Sequence, residues 1–142
     1  MTTRNRGLAA LLVLTGIGTL LYWANYFLVG DVRVSSERWY AAFEDSFPVA
    51  DTWMALTALA AGLGLWRGAK WAPSAGLLVG SALIFLAAMD ITFNVENGLY
   101  ALAAVSSPMR FEIVINAWTL GLGLLAITAC WNGAKFPPHD RS

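Results

Sequence analysis

The sequence is poor in the residues on which most metal and cofactor sites depend. Its 142 residues include one cysteine, Cys130, and one histidine, His139. A single cysteine excludes an intramolecular disulfide, a zinc site built from several cysteines and a Cys-x-x-Cys redox pair. One histidine, close to the C-terminus, gives no basis for a haem or zinc site. We therefore expect neither a metal ion nor another cofactor.

Charged residues are also scarce. They make up 13% of the chain, against roughly a quarter in soluble domains. Hydrophobic residues make up 58%, the mean hydropathy is +0.59, and the net charge is zero. This balance gives no basis for binding nucleic acid, and it indicates that lipid rather than water surrounds the folded chain.

Four long apolar runs account for most of the sequence. They cover residues 7–29, 48–66, 73–94 and 111–131. About 20 residues of helix cross the hydrocarbon core of a bilayer, so each run is long enough to span it. The first run is too long for the core of a signal peptide, and no small-x-small cleavage site follows it. We predict an all-α, integral membrane four-helix bundle that forms a single domain over residues 1–142.

Positive charges predict the orientation of this bundle. Six basic residues would lie on one side of the membrane: Arg4, Arg6, Arg67, Lys70, Lys135 and Arg141. Three would lie on the other side: Arg33, Arg38 and Arg110. The excess predicts that both termini are cytoplasmic, in a plasma membrane of bacterial type. The loops 30–47 and 95–110 are then extracytoplasmic, and residues 132–142 form a cytoplasmic tail.

The first loop has an amphipathic middle. Ser36 is a candidate N-cap for a short helix on the membrane surface. The aromatic residues of the loop would form its apolar face: Trp39, Tyr40 and Phe43. Glu37 and Glu44 would then face water. An ordinary loop with aromatic anchors is an equally good interpretation.

Two segments of the chain resemble each other. Residues 66–73 read WRGAKWAP and residues 131–138 read WNGAKFPP, at an offset of 65 residues. The same offset pairs polar and aromatic residues of the spans: Asn25 with Asp90, Asp51 with Asn116, and Trp53 with Trp118. This pattern favours a duplicated two-helix hairpin in the same orientation, in which sites often lie between the two repeats.

Asp90 is the most unusual residue of the sequence. It lies inside an apolar run, where an ionisable side chain costs several kcal/mol by most estimates and marks a candidate functional site. It also lies towards the C-terminal end of its helix, where the helix dipole disfavours an anion. We expect it to be protonated, hydrogen-bonded or paired with an arginine from the loops, namely Arg33, Arg38 or Arg110.

Other polar and aromatic residues are expected at the same depth, around one pocket open to the extracytoplasmic side. The candidate ligand-binding residues are Asp90, Asp51, Asn25, Asn116, Glu112, Asn94, Tyr22, Trp53 and Trp118. Asp and Asn side chains also join membrane helices by hydrogen bonds, so a purely structural role is the alternative for each. Asp51 and Glu112 lie in the first turns of their helices, where the positive end of the helix dipole favours a carboxylate whether or not it has a function. No residue is assigned a catalytic role.

Three functions fit this pattern. The first, which we favour, is a non-catalytic membrane protein whose pocket binds an amphiphilic ligand or a partner membrane protein; the partner is either a second copy of the chain or a different protein. The second is a small transporter for a cationic or lipid-like substrate, which paired acids beside aromatic walls would hold. The third, and least favoured, is an enzyme that uses Asp51 and Asp90 as acid and base on a lipid-like substrate.

Overall fold

The protein is mostly helical in the part of the chain that the computed structural model describes, residues 3–30 and 32–131, with the backbone alone for residues 3–5. Five α-helices and one 3-10 helix follow one another: α1 (Thr3–Leu28), α2 (Arg38–Glu44), α3 (Pro48–Arg67), α4 (Ala72–Glu96), the 3-10 helix (Leu99–Ala104) and α5 (Ser107–Cys130). Asp31, the tail 132–142 and most of the second repeat motif lie outside the described residues.

The prediction of an all-helical chain with four long apolar helices is confirmed. α1, α3, α4 and α5 have 26, 20, 25 and 24 residues. Pro48 and Pro73 lie in first turns, where a missing N–H costs nothing. α5 begins before the predicted residue 111 because the Ser106 hydroxyl accepts a hydrogen bond from the Met109 N–H at 3.2 Å and acts as its N-cap.

A tight turn makes α3 and α4 antiparallel neighbours. α3 ends at Gly68, which has a φ of 71° and donates its backbone N–H to the Leu65 carbonyl at 3.2 Å. This left-handed conformation favours glycine and stops the helix. Ala72 then begins α4, so that residues 68–71 form the whole connection.

The long helices pack in the order α1, α3, α4, α5, and of the neighbouring pairs α1 and α5 share the least contact. Glycines let the backbones of each tight pair approach closely. A Cβ on Gly62 would lie 2.8 Å from the Ala9 carbonyl oxygen, and a Cβ on Gly80 would lie 2.9 Å from that of Gly123. Small residues commonly bring helices together in this way in lipid.

One end of the bundle is covered by α2, and we call it the α2 end. The C-termini of α1 and α4 and the N-termini of α3 and α5 lie there. α2 reaches the bundle through its long side chains: Tyr40 is buried, and the Phe43 ring stacks on Phe93 with centroids 3.5 Å apart. The predicted short helix is therefore present, and it covers the end that we expected to be open.

Two details of the predicted surface helix were wrong. Its N-cap is Glu37 rather than Ser36, and no side chain caps it. Glu44 does not face water but is buried, with 7% of its surface exposed. Tyr40 and Glu44 are four residues apart and lie on one face of a helix, so the same rotation that buries the tyrosine buries the carboxyl group.

Candidate functional site

A cavity of about 300 Å³ lies inside the bundle, between its middle and the α2 end. All four long helices contribute to its wall, and Glu44 and Phe47 close it from the side of α2. Most of the lining is apolar or aromatic. Pockets that hold small organic ligands start at about this volume and have the same general character.

Four carboxyl groups line this cavity: Glu44, Asp51, Asp90 and Glu112. Each comes from a different helix, because α2, α3, α4 and α5 each present one acid near the α2 end. Among the described residues, the lining contains no arginine, lysine or histidine. The cavity therefore carries a concentration of acidic groups that no basic side chain of its wall neutralises.

Glu112 is held by hydrogen bonds from two other helices. The Tyr40 hydroxyl donates to its Oε2 at 3.1 Å, and the Asn94 Nδ2 donates to its Oε1. Glu112, Tyr40 and Asn94 are all buried. Two satisfied donors fix the carboxyl group in one orientation, and they tie α2 and α4 to α5 at this point.

Asn94 also reaches Asp90, one turn earlier on the same helix. Its Nδ2 lies 3.3 Å from the Asp90 Oδ1, so one amide group bridges the carboxyl groups of α4 and α5. The Asn94 side chain is fully buried and its Oδ1 has no hydrogen-bond partner among the described residues. An unpaired buried carbonyl costs about 1–3 kcal/mol, so this arrangement holds the two acids in place at a cost in stability.

Asp51 has a separate partner. The Trp23 indole N–H donates to its Oδ2 at 2.9 Å, which joins α3 to α1. Trp23 is buried and belongs to a run of packed rings, since the Tyr22 ring meets it edge-on at 5.3 Å. Tyr22 and Trp23 both line the cavity, so aromatic faces lie beside the acidic groups.

Asn116 lies in the cavity wall and is fixed from outside it. Its Nδ2 donates to the Tyr100 hydroxyl oxygen at 3.2 Å, which connects α5 to the 3-10 helix. Burial raises the pKa of the Tyr100 hydroxyl above its ordinary value, so this group is neutral near pH 7. The bond to Tyr100 therefore holds the Asn116 amide in place at the cavity wall.

The predicted site residues divide into two groups. Asn94 is beside the cavity, where its amide bridges two of the acids. Five other predicted residues line the cavity itself: Tyr22, Asp51, Asp90, Glu112 and Asn116. Trp118 lines it as well, and its indole N–H donates to the Thr15 hydroxyl at 2.9 Å. Two do not line it. Trp53 is on the bundle surface with 53% of its area exposed, and the buried Oδ1 of Asn25 lies outside the cavity lining, without a hydrogen-bond partner in the described part of the chain.

The arginines proposed as partners of Asp90 have other contacts. Arg33 lies over the Tyr26 ring, 4.4 Å from its centroid, and donates to the Tyr26 carbonyl oxygen. Arg110 donates to the Ala103 carbonyl oxygen and to the Ser107 hydroxyl. Arg38 is exposed on α2. Neither Arg33 nor Arg110 reaches the cavity.

Sequence reasoning missed Glu44 as a cavity residue. The signal was its spacing of four residues from Tyr40, which had already been assigned to the apolar face of α2. Within residues 3–30 and 32–131, no three histidine, cysteine, aspartate or glutamate side chains are arranged to hold a metal ion.

Comparison with protein-family models, with curated proteins and with solved structures finds no match for this chain.

Proposed function

We propose that this chain is an integral membrane protein that binds a cationic amphiphile in the cavity near the α2 end. The observation that carries the proposal is the set of four acids around a largely apolar cavity without a basic residue in its described wall. Separate observations support the location in a membrane, the orientation of the chain and the class of ligand.

The apolar surface of the helices supports a location in the membrane. Each long helix has enough residues to cross about 30 Å of hydrocarbon at roughly 1.5 Å per residue. Large apolar side chains cover the outside of the bundle; Leu21, Phe85 and Leu124, for example, are 65%, 63% and 53% exposed. A soluble protein rarely exposes continuous apolar surface on this scale, so lipid is the medium in which it costs least.

The ends of the bundle support an orientation with both termini in the cytoplasm. Arg6, Arg67 and Lys70 belong to the end opposite α2, and the sequence places three further basic residues at or beyond it. The α2 end would then face away from the cytoplasm. We also propose that the chain arose by duplication of a two-helix hairpin. The two repeats would be the pairs α1–α3 and α4–α5, which share the most contact in the bundle.

The chemistry of the cavity supports the ligand class. A buried carboxylate without a counter-charge is expensive, so the acids must either share protons or receive a cation from outside. An alkylammonium group supplies that cation, and the neighbouring Tyr22 and Trp23 rings attract it further. The remaining apolar wall fits the hydrocarbon part of such a molecule. A partner protein lacks this match, because the acids line the interior of the bundle rather than its outer surface.

Packing at the opposite end weighs against the transport alternative. Ala9 and Gly62, and Gly80 and Gly123, bring their backbones together in that half of the bundle. Buried apolar residues such as Leu12, Leu65 and Val79 fill the space between the two pairs, so a substrate would have to displace them to pass. The acid–base alternative keeps one supporting observation, since Asp51 and Asp90 line the same cavity. The hydrogen bond from Trp23 to Asp51 favours a fixed carboxylate that binds rather than one that exchanges protons.

The test is equilibrium binding of tritiated dodecyltrimethylammonium to the full chain in dodecyl maltoside micelles. We expect saturable binding by the wild type, and binding at least about tenfold weaker by Asp90→Asn. The reason is that a contact with a charged group contributes about 1.5–3 kcal/mol, and 1.4 kcal/mol corresponds to tenfold.

Two controls separate the cavity from general effects of charge. Glu96→Gln removes an exposed acid from the same helix and should leave the affinity unchanged. The neutral isostere of the probe, with a tert-butyl group in place of trimethylammonium, should bind the wild type and Asp90→Asn equally. Absence of saturable binding by the wild type would refute the proposal.

A further inference from the structure

The wall of the cavity is not equally buried on all sides. Four of its lining residues are exposed on the surface of the bundle: Leu14, Gly18, Phe111 and Trp118. All four belong to α1 or α5, the pair of neighbouring helices that share the least contact. The cavity therefore reaches the surface along the seam between α1 and α5.

The other directions are closed by observed contacts. At the α2 end, Tyr40 and Glu44 are buried and Tyr40 is bonded to Glu112. At the opposite end, buried apolar residues from all four long helices fill the bundle, among them Leu12, Leu65, Val79 and Ala126. A ligand that enters from the α2 end would have to displace α2, whereas the seam already has exposed lining residues.

Gly18 and Trp118 lie at the middle of this seam. Gly18 is ten residues from the end of α1 and Trp118 is eleven residues from the start of α5, which places both about 15–17 Å from the α2 end at ~1.5 Å per residue. This is the midplane of a hydrocarbon core about 30 Å thick. By the same measure, Asp51, Asp90 and Glu112 are about 5–9 Å from the α2 end.

Gly18 has no side chain and lines the cavity at this position of the seam. A Cβ built on Gly18 meets no atom within 4 Å, so open space lies beside this position. Trp118 is 45% exposed, and its indole N–H is bonded to the Thr15 hydroxyl, about one turn along α1 from Gly18. A flat, fixed ring on one side and a residue without a side chain on the other leave room for a narrow apolar chain.

We propose that the cavity is a lateral binding site for a single-chain amphiphile, whose cationic head lies among Asp51, Asp90 and Glu112 and whose hydrocarbon chain leaves between Gly18 and Trp118 into the bilayer. This proposal rests on the proposed function and adds the class of ligand and the position of its chain. The acidic groups lie near the α2 end, where the cationic head would be. The apolar opening lies halfway along the helices, where the hydrocarbon chain would be.

The test compares a long-chain and a short-chain probe on a variant that fills the gap. Gly18→Leu places a side chain in open space, so it should not disturb the packing of the bundle. We expect it to weaken binding of dodecyltrimethylammonium at least tenfold, because the dodecyl chain loses its path. Butyltrimethylammonium, which needs no path out of the cavity, should bind Gly18→Leu as it binds the wild type.

Gly121→Leu is the matched control. Gly121 is also exposed, also has open space beside it, lies on α5 and does not line the cavity. It should leave the binding of both probes unchanged. Adding Trp118→Ala to Gly18→Leu should restore binding of the long-chain probe, because it reopens the seam from the other side.

The outcomes distinguish this proposal from the proposed function. If the wild type binds neither probe, the proposed function fails and this inference fails with it. If the wild type binds both probes and Gly18→Leu retains full affinity for the dodecyl probe, the cationic site stands and the lateral position of the chain is refuted. Equal weakening of both probes by Gly18→Leu would also refute it.

Discussion

Gly80 and Gly123 give the most direct test of the close packing between α4 and α5, the helices that carry Asp90 and Glu112. In Gly80→Ala, the new methyl group would lie 2.9 Å from the Gly123 carbonyl oxygen and 2.9 Å from the Ile127 Cγ1. Apolar atoms prefer separations of about 3.5–4.0 Å. The two helices must therefore move apart or distort, because both nearest neighbours belong to the partner helix.

The expected cost follows from comparison with a glycine that has no such neighbours. Overpacking of this kind costs about 1–3 kcal/mol. Alanine also favours a helix over glycine by up to about 1 kcal/mol, a contribution that would partly hide the cost. Gly121→Ala carries the same contribution without a clash, since a Cβ at Gly121 meets nothing within 4 Å. The difference between the variants should therefore be about 1–3 kcal/mol, with Gly80→Ala the less stable.

The assay is reversible unfolding of the full chain in mixed micelles of dodecyl maltoside and sodium dodecyl sulfate, followed by far-ultraviolet circular dichroism. Wild type, Gly80→Ala and Gly121→Ala are measured side by side. Equal unfolding free energies for the two variants would refute the packing described for α4 and α5, and with it the spacing of Asp90 and Glu112.

Two further predictions concern the α2 end and the orientation of the chain. Tyr40→Phe removes the hydrogen bond to Glu112 and keeps the ring, so it should destabilise the protein by about 0.5–1.5 kcal/mol. It should also speed amide hydrogen exchange in residues 38–44 and leave exchange in α3 unchanged. Unchanged exchange in α2 would show that this bond does not hold the helix in place. A green fluorescent protein fused after Ser142 should be fluorescent and an alkaline phosphatase at the same position inactive, because both termini are expected in the cytoplasm; the opposite pair of results would reverse the orientation.

The fold was predictable because the signal for it is averaged over many residues. Four apolar runs of about 20 residues predict four helices, and no single residue changes the length or the mean hydropathy of a run enough to alter that prediction. The depth of the polar groups was predictable for a related reason. The position of Asp51, Asp90 or Glu112 along a helix follows from counting residues from its end, at a rise that hardly varies.

The direction in which a side chain points was harder to predict. Trp53 was expected in the cavity wall because it lies at the same depth as the polar residues, but it lies two residues after Asp51 and so projects from nearly the opposite face of α3. Glu44 was assigned to water although its spacing from Tyr40 placed it on the buried face. Helical periodicity predicts the correct face for both residues, whereas depth along the helix predicts no face at all.

The opening of the cavity could not be predicted from the sequence. It depends on which helices are neighbours and how tightly each pair packs. Gly16 packs against the Ala55 carbonyl oxygen whereas Gly18, two residues later, faces open space. Nothing local to these glycines distinguishes a packing position from a gap. The hydrogen bond between Thr15 and Trp118 joins residues 103 positions apart, beyond the reach of any local pattern.

The most direct measurement of the central claim is a crystal structure grown in a lipid phase with a dodecyltrimethylammonium analogue that carries bromine at the end of its chain. The head should lie in contact with the carboxyl groups of Asp90 and Glu112, and the anomalous signal of bromine should appear at the seam near Gly18 and Trp118. Bromine at the α2 end, or an empty cavity at a probe concentration that saturates binding, would contradict the account.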